Sequence, residues 1–217
     1  GGAITRVSTP SGGEAMAIRT PHVLRAARAH FGCASLEGMQ LEDGGVAGTA
    51  GSHWEMRWLR DEYMTGAASP GDRVVSAVSL ALFADSGWYV VDEAGAEPLA
   101  WGQGQGCSFV QASCERWAQP GYLCSSASAE ACSYELRAKA YCDLRTYSAP
   151  LPRGARHFED PRLGGYSALL DFCPVYRPYS DGHCTWSGEA AGEASMVAGE
   201  ERCETCRCIA RRVGGGG

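Results

Sequence analysis

The sequence predicts an α+β protein in two parts, a helix-bearing first hundred residues followed by a disulfide-rich, mostly irregular and β remainder. Two helical stretches with recognisable ends lie before residue 100. Ten of the eleven cysteines lie after it, at 107, 114, 124, 132, 142, 173, 184, 203, 206 and 208, and Cys33 stands apart. At Trp101 the composition shifts to Gly, Ser and Pro with few apolar runs, so disulfides are expected to carry much of the stability there, each about 2–4 kcal/mol. The boundary is therefore expected between residues 1–100 and residues 101–217.

The elements follow in order. Residues 1–19 are small, polar and glycine-rich, which predicts a loop or a frayed entry. Thr20-Pro21 opens a helix, with Thr at the N-cap and Pro at the first helical position. Val23, Leu24, Ala27 and Phe31 follow at helical spacing and Gly32 stops it. "LEDGGVAGTAG" (41–51) predicts a glycine loop, and Pro70-Gly71 a turn. A second helix is predicted over 73–86, because Val74, Val75, Val78 and Leu82 share a stripe and Gly87 can cap it. "WYVVD" (88–92) reads as a short strand or an extended arm. No internal repeat is present, and the stretch from Ser187 is small and acidic before four closing glycines.

Bulk properties exclude several classes. A length of 217 residues with 45% hydrophobic and 20% charged residues is ordinary for a folded chain. The net charge of -6 argues against nucleic acid, whose phosphates call for a basic face. Dense cysteines point to an oxidising compartment, hence the cell surface or the extracellular space. Their odd number leaves one thiol free or paired outside the chain. Residues 1–20 contain no apolar leader, and the longest apolar run, Val74 to Val91, contains Asp85 and Gly87 and is too polar to span a bilayer. Secreted-type cysteines without a leader suggest an incomplete start.

"GSHWEMRWLRDEYMTG" (51–66) carries the candidate chemistry. A lone histidine beside two tryptophans is more often structural than a ligand, and a lone Met64 is by default a core residue. The flanks change that reading. "TPHVLRAARAHFGCASLEGMQLED" (20–43), "GSHWEMRWLRDEYM" (51–64) and "WGQGQGCSF" (101–109) resemble, in this order, the C-terminal half of leishmanolysin, a family of metzincin zinc metalloproteases with invadolysin relatives. The resemblance runs through residues 20–185. It implies the C-terminal subdomain of a metzincin catalytic domain, zinc as cofactor and polypeptides as substrates. His53 matches the third zinc ligand and Met64 the Met-turn methionine beneath the metal. It further implies disulfides Cys33–Cys107, Cys114–Cys173 and Cys124–Cys142, with Cys132 and Cys184 pairing further on, in the 203/206/208 cluster or beyond it.

The family's HExxH helix supplies two histidines and the general-base glutamate. None of His22, His30, His53, His157 and His183 lies in such a motif, so no catalytic residue is expected in this chain, which reads as the back half of a protease with its base upstream. Family members often end in a lipid-anchor signal. No hydrophobic tail is present here, so membrane association is expected only through an anchor not visible in the sequence.

Other features read more plainly. Glu55, Asp61 and Glu62 are expected to be exposed or capping carboxylates without a catalytic role. Trp54, Trp58 and Trp101 are expected in the core or at its rim. "CETCRC" (203–208) is weak evidence for half a metal knuckle and better read as disulfides, and "GQGQG" (102–106) lacks the ending of a phosphate loop. The rival functional reading is a non-catalytic, disulfide-rich adhesion or binding module on the cell surface.

Overall fold

Residues 4–18, expected to be a loop or a frayed entry, fold as a β-hairpin. The computed structural model describes residues 2–10, 12–45, 48–67, 73–117, 121–183, 201–204 and 207–210. Strand β1 (Ile4–Ser8) pairs antiparallel with β2 (Glu14–Ile18), and Gly12, at φ 79°, helps close the turn where Thr9 N–H donates to Gly13 O. The alternation that marks a strand is present, but its inward residues are Ala15 and Ala17, too small to stand out as an apolar pattern. The far edge of β2 pairs with β3 (Met39–Gln40).

Helix α1 (Pro21–Phe31) begins and ends where Thr20-Pro21 and Gly32 predict, with Gly32 left-handed at φ 69°. Val23, Ala27 and Phe31 are fully buried on one stripe. The Thr20 side chain makes no capping hydrogen bond. The cap is supplied from helix α3 (Ala77–Ser86), whose Asp85 carboxylate accepts the His22 and Val23 backbone N–H groups at 2.9 Å and the His22 ring Nδ1 at 2.7 Å.

Burial alone would raise the pKa of Asp85. The neighbouring Thr20 hydroxyl and these donors outweigh it and bring the pKa down to about 2. A carboxylate with a depressed native pKa stabilises the fold above its unfolded value and loses that contribution as pH falls through the native one. Asp85→Asn should therefore cost about 1–2 kcal/mol at pH 7. The gap to wild type should close between about pH 4 and pH 2 in denaturant titrations. A gap independent of pH would contradict this account.

Helix α3 starts four residues later than predicted. Arg73 to Ser76 are instead drawn alongside the 61–63 turn: Val74 N–H donates to Asp61 O at 3.0 Å and Tyr63 N–H to Val74 O at 2.8 Å. Ser76 then caps α3 by accepting the Val78 N–H at 3.2 Å. Gly87 ends the helix as expected, and residues 88–92 leave it as an extended arm with Trp88 and Val90 in solvent.

An aromatic cluster forms the core around these elements. Short helix α2 (Met56–Leu59) contributes Trp58, and helix α4 (Cys107–Gln111) contributes Phe109. Phe31 stacks on Phe109 at 6.1 Å, Phe109 on Trp117 at 4.4 Å, and Trp101 meets Trp117 edge-on at 5.8 Å. Trp54, Trp58 and Trp101 are all buried. Gly102, at φ 76°, lies so close to Phe109 and Phe31 that a Cβ would meet them at 2.8 and 2.9 Å, so the first glycine of "GQGQG" is a packing requirement.

The chain forms two compact units. The first comprises residues 1–119 and 146–173, so residues 101–119 and 146–173 pack with the first hundred. It contains the disulfides Cys33–Cys107 and Cys114–Cys173 and the two-residue strand β7 (Leu163–Gly164). The second comprises residues 120–145 and 174–217. There β4 (Glu130–Cys132), β5 (Ala138–Cys142) and β8 (Tyr176–His183) form an antiparallel sheet in the order β4-β5-β8, closed by Cys124–Cys142. Strand β6 (Arg145–Thr146) straddles the boundary of the two units. Cys132 is also disulfide-bonded. Strands β9 (Glu201–Glu204) and β10 (Arg207–Ala210) pair antiparallel with Cys203 opposite Cys208, while Cys184 and Cys206 lie outside the described residues. Among the described residues no helix is long and apolar enough to cross a membrane.

Candidate metal centre

His53 sits on a strand-like segment held from both sides. Leu41 bridges Trp54 antiparallel and the Glu42 N–H donates to His53 O at 2.9 Å. On the other side Trp54 bridges Thr65 in parallel and the Trp54 N–H donates to Met64 O at 2.9 Å. One backbone hydrogen bond thus joins the residue after His53 to Met64, eleven positions on.

The imidazole is half-buried, and its Nδ1 lies 3.1 Å from Thr49 O and 3.1 Å from Ser52 Oγ. A carbonyl oxygen only accepts, so Nδ1 carries the proton towards Thr49 and Nε2 keeps its lone pair. Metal-binding histidines commonly donate one ring N–H to a carbonyl in this way while the other nitrogen faces the metal. Glycines 48 and 51, at φ 97° and 76°, turn the chain so that Thr49 reaches back to the ring.

The turn bearing Met64 is organised by Glu62, which is fully buried. One carboxylate oxygen accepts the Met64 N–H; the other accepts the Ser76 N–H and hydroxyl, both at 3.1 Å, and the Ser79 hydroxyl. Ser79 Oγ in turn accepts the Trp54 indole N–H at 2.9 Å. The His53 segment, the Met64 turn and the start of α3 therefore share one buried hydrogen-bonded carboxylate. Glu55 is also fully buried and caps α2 by accepting the Arg57 N–H at 3.0 Å, and Asp61 is buried. The expectation that these carboxylates are exposed or capping holds for Glu55, which caps α2, and fails for Asp61 and Glu62, which are buried and are not the N-cap of any described helix.

Behind His53 lies a group the sequence reading missed. Glu42, at 2% exposure, accepts Gly44 N–H at 2.9 Å and Met56 N–H at 3.2 Å, and Glu55 accepts the Gln40 amide at 3.2 Å. Burial, aided by the charges of Asp171 and Asp43, pushes the Glu42 carboxyl up to about 7. Burial and then Asp171 raise Glu55 well above the carboxylate range. Arg57 lies 3.0 Å from Asp171 Oδ2 through Nε and donates its terminal N–H groups to the carbonyls of Phe109, Val110 and Ala112, at the end of α4.

The other histidines are engaged elsewhere. His22 binds Asp85, the His30 ring meets Trp101 O at 2.9 Å, and the His157 ring meets Asp171 O at 2.7 Å. The His183 side chain lies outside the described residues. Among the described residues no cluster of three metal-ligating groups includes His53. His53 offers zinc one donor, the ring nitrogen that is not tied to Thr49 O.

A family model described as leishmanolysin, peptidase family M8, matches residues 6–213. The chain belongs to the leishmanolysin family. It is 37% identical over 198 residues to leishmanolysin of Leishmania major, covering 88% of this chain and 32% of that protein. It is 37% identical over 182 residues to a leishmanolysin-like peptidase of Drosophila melanogaster, covering 74% of this chain and 26% of that protein. A leishmanolysin homolog of Crithidia fasciculata is 32% identical over 178 residues. The chain thus spans about a third of the length of the curated leishmanolysins it matches, and its sequence contains no HExxH.

Proposed function

We propose that this chain is part of a leishmanolysin-type zinc metalloendopeptidase that cuts extended polypeptides at the cell surface or in the extracellular space. His53 would be its third zinc ligand through Nε2, and Met64 would be the methionine of its Met-turn. The observation that carries the reading is His53, with Nδ1 tied to Thr49 O in a chain of leishmanolysin ancestry. Zinc, when bound, supplies a Lewis acid that activates water and polarises the scissile carbonyl.

The roles of this chain's own groups follow from their geometry. Thr49 O holds the ring in the tautomer that leaves Nε2 free to ligate. Trp54 N–H fixes the Met64 carbonyl, and Glu62 fixes the Met64 amide, so the backbone of the turn is tied to the His53 segment. The remaining two histidines and the general-base glutamate come from an HExxH that this chain does not contain, so the chain alone is inactive.

Removal of the metal tests this reading. In the intact protein, 1,10-phenanthroline should abolish hydrolysis of an unstructured peptide, and added zinc should restore it. Hydrolysis that persists after zinc is stripped would contradict the proposal. An intact zinc-free protein that hydrolyses nothing would favour the adhesion module.

A further inference from the structure

The group of carboxylates behind His53 has no role in the reading above. One oxygen each from Glu42, Asp43 and Glu55 lies within 4.8 Å of the others. Two oxygens bound to a single Ca²⁺ can stand about 5 Å apart, so the three already lie within reach of one ion. Glu42 and Glu55 are held in place by backbone N–H groups, while Asp43 reaches the cluster from solvent.

The charge of Arg57 acts on Asp43 and Glu55 without forming a salt bridge to either. Among the described residues no ion pair includes Glu42, Asp43 or Glu55. Arg57 is committed to Asp171 and to three backbone carbonyls. A second observation points to a ligand. Gln40 is 1% exposed and its amide lies against the cluster, with Nε2 donating to Glu55 Oε2 at 3.2 Å, yet its Oε1 is buried with no partner. A buried amide oxygen of this kind is a ligand that Ca²⁺ accepts and that no donor here satisfies.

We propose that Glu42, Asp43 and Glu55, with the side-chain oxygen of Gln40, form a site for a hard divalent cation of calcium's class, separate from the His53 site. All its ligands are oxygens, which selects against the softer zinc. The cation pins the Leu41–Glu42 segment to Glu55–Met56. These residues flank His53, and the Glu42 N–H already binds the His53 carbonyl. The site does not depend on zinc at His53.

Calorimetric titration of the zinc-saturated protein with CaCl2 tests it. One Ca²⁺ per chain is expected, with a Kd on the order of 10⁻⁴–10⁻³ M, the range of extracellular sites. Asp43→Asn, at an exposed carboxylate that supports no other residue, should weaken binding about tenfold or more, and Glu42→Gln should abolish it. His53→Ala should leave Ca²⁺ binding intact, which separates this proposal from the zinc assignment. No saturable binding up to about 10 mM Ca²⁺, or a Kd unchanged in Asp43→Asn, would overturn it.

Discussion

Glu62→Ala should destabilise the first compact unit by about 3–5 kcal/mol, measured as a fall in the denaturant midpoint with disulfides intact. The carboxylate is fully buried and accepts from the Met64 N–H, the Ser76 N–H and hydroxyl and the Ser79 hydroxyl. Hydrogen bonds to a charged acceptor contribute about 1.5–3 kcal/mol each, and every donor left buried without a partner costs about 1–3 kcal/mol. The sum exceeds what one residue can show, because Ser76 and Ser79 can turn to other acceptors and the cavity can partly close. Glu62→Gln keeps one good acceptor but sets an amide group against a backbone donor, so an intermediate loss is expected. A change under about 1 kcal/mol in the alanine variant would mean that the turn is held by other contacts.

The second large effect concerns chemistry rather than stability. His53→Ala in the intact enzyme should lower kcat/KM by about a thousandfold or more, since outer-shell changes alone cost about 10–100-fold in metal sites. The disulfide Cys124–Cys142 and the β4-β5-β8 sheet should be unaffected, because both lie in the second unit. Ser52→Ala should cost less, since Ser52 Oγ touches the ring while Thr49 O remains as its acceptor. Unchanged turnover in His53→Ala would remove the ligand assignment.

Helix ends were legible wherever a residue of restricted backbone marked them. Thr20-Pro21, Gly32 and Gly87 bound α1 and α3 as the sequence predicts. The start of α3 was not, because it depends on Glu62 capturing Ser76, a contact between residues 14 apart. The β1–β2 hairpin was hidden by alanines that bury without advertising it. The buried acids were illegible for the same reason as α3: Glu42 and Glu55 meet only because Leu41 pairs with Trp54. His53, Met64 and the three disulfides closed in the described residues entered through family resemblance, since a lone histidine and a lone methionine carry no such information by themselves. What the structure adds is the local physics, a ring tautomer set by Thr49 and a turn set by Glu62.

The most direct measurement is a zinc-edge anomalous difference map from crystals of the intact protein. The account predicts a single strong peak about 2.1 Å from His53 Nε2, on the side of the ring away from Thr49 O. A zinc peak elsewhere, or a catalytically active crystal with no zinc beside His53, would contradict it.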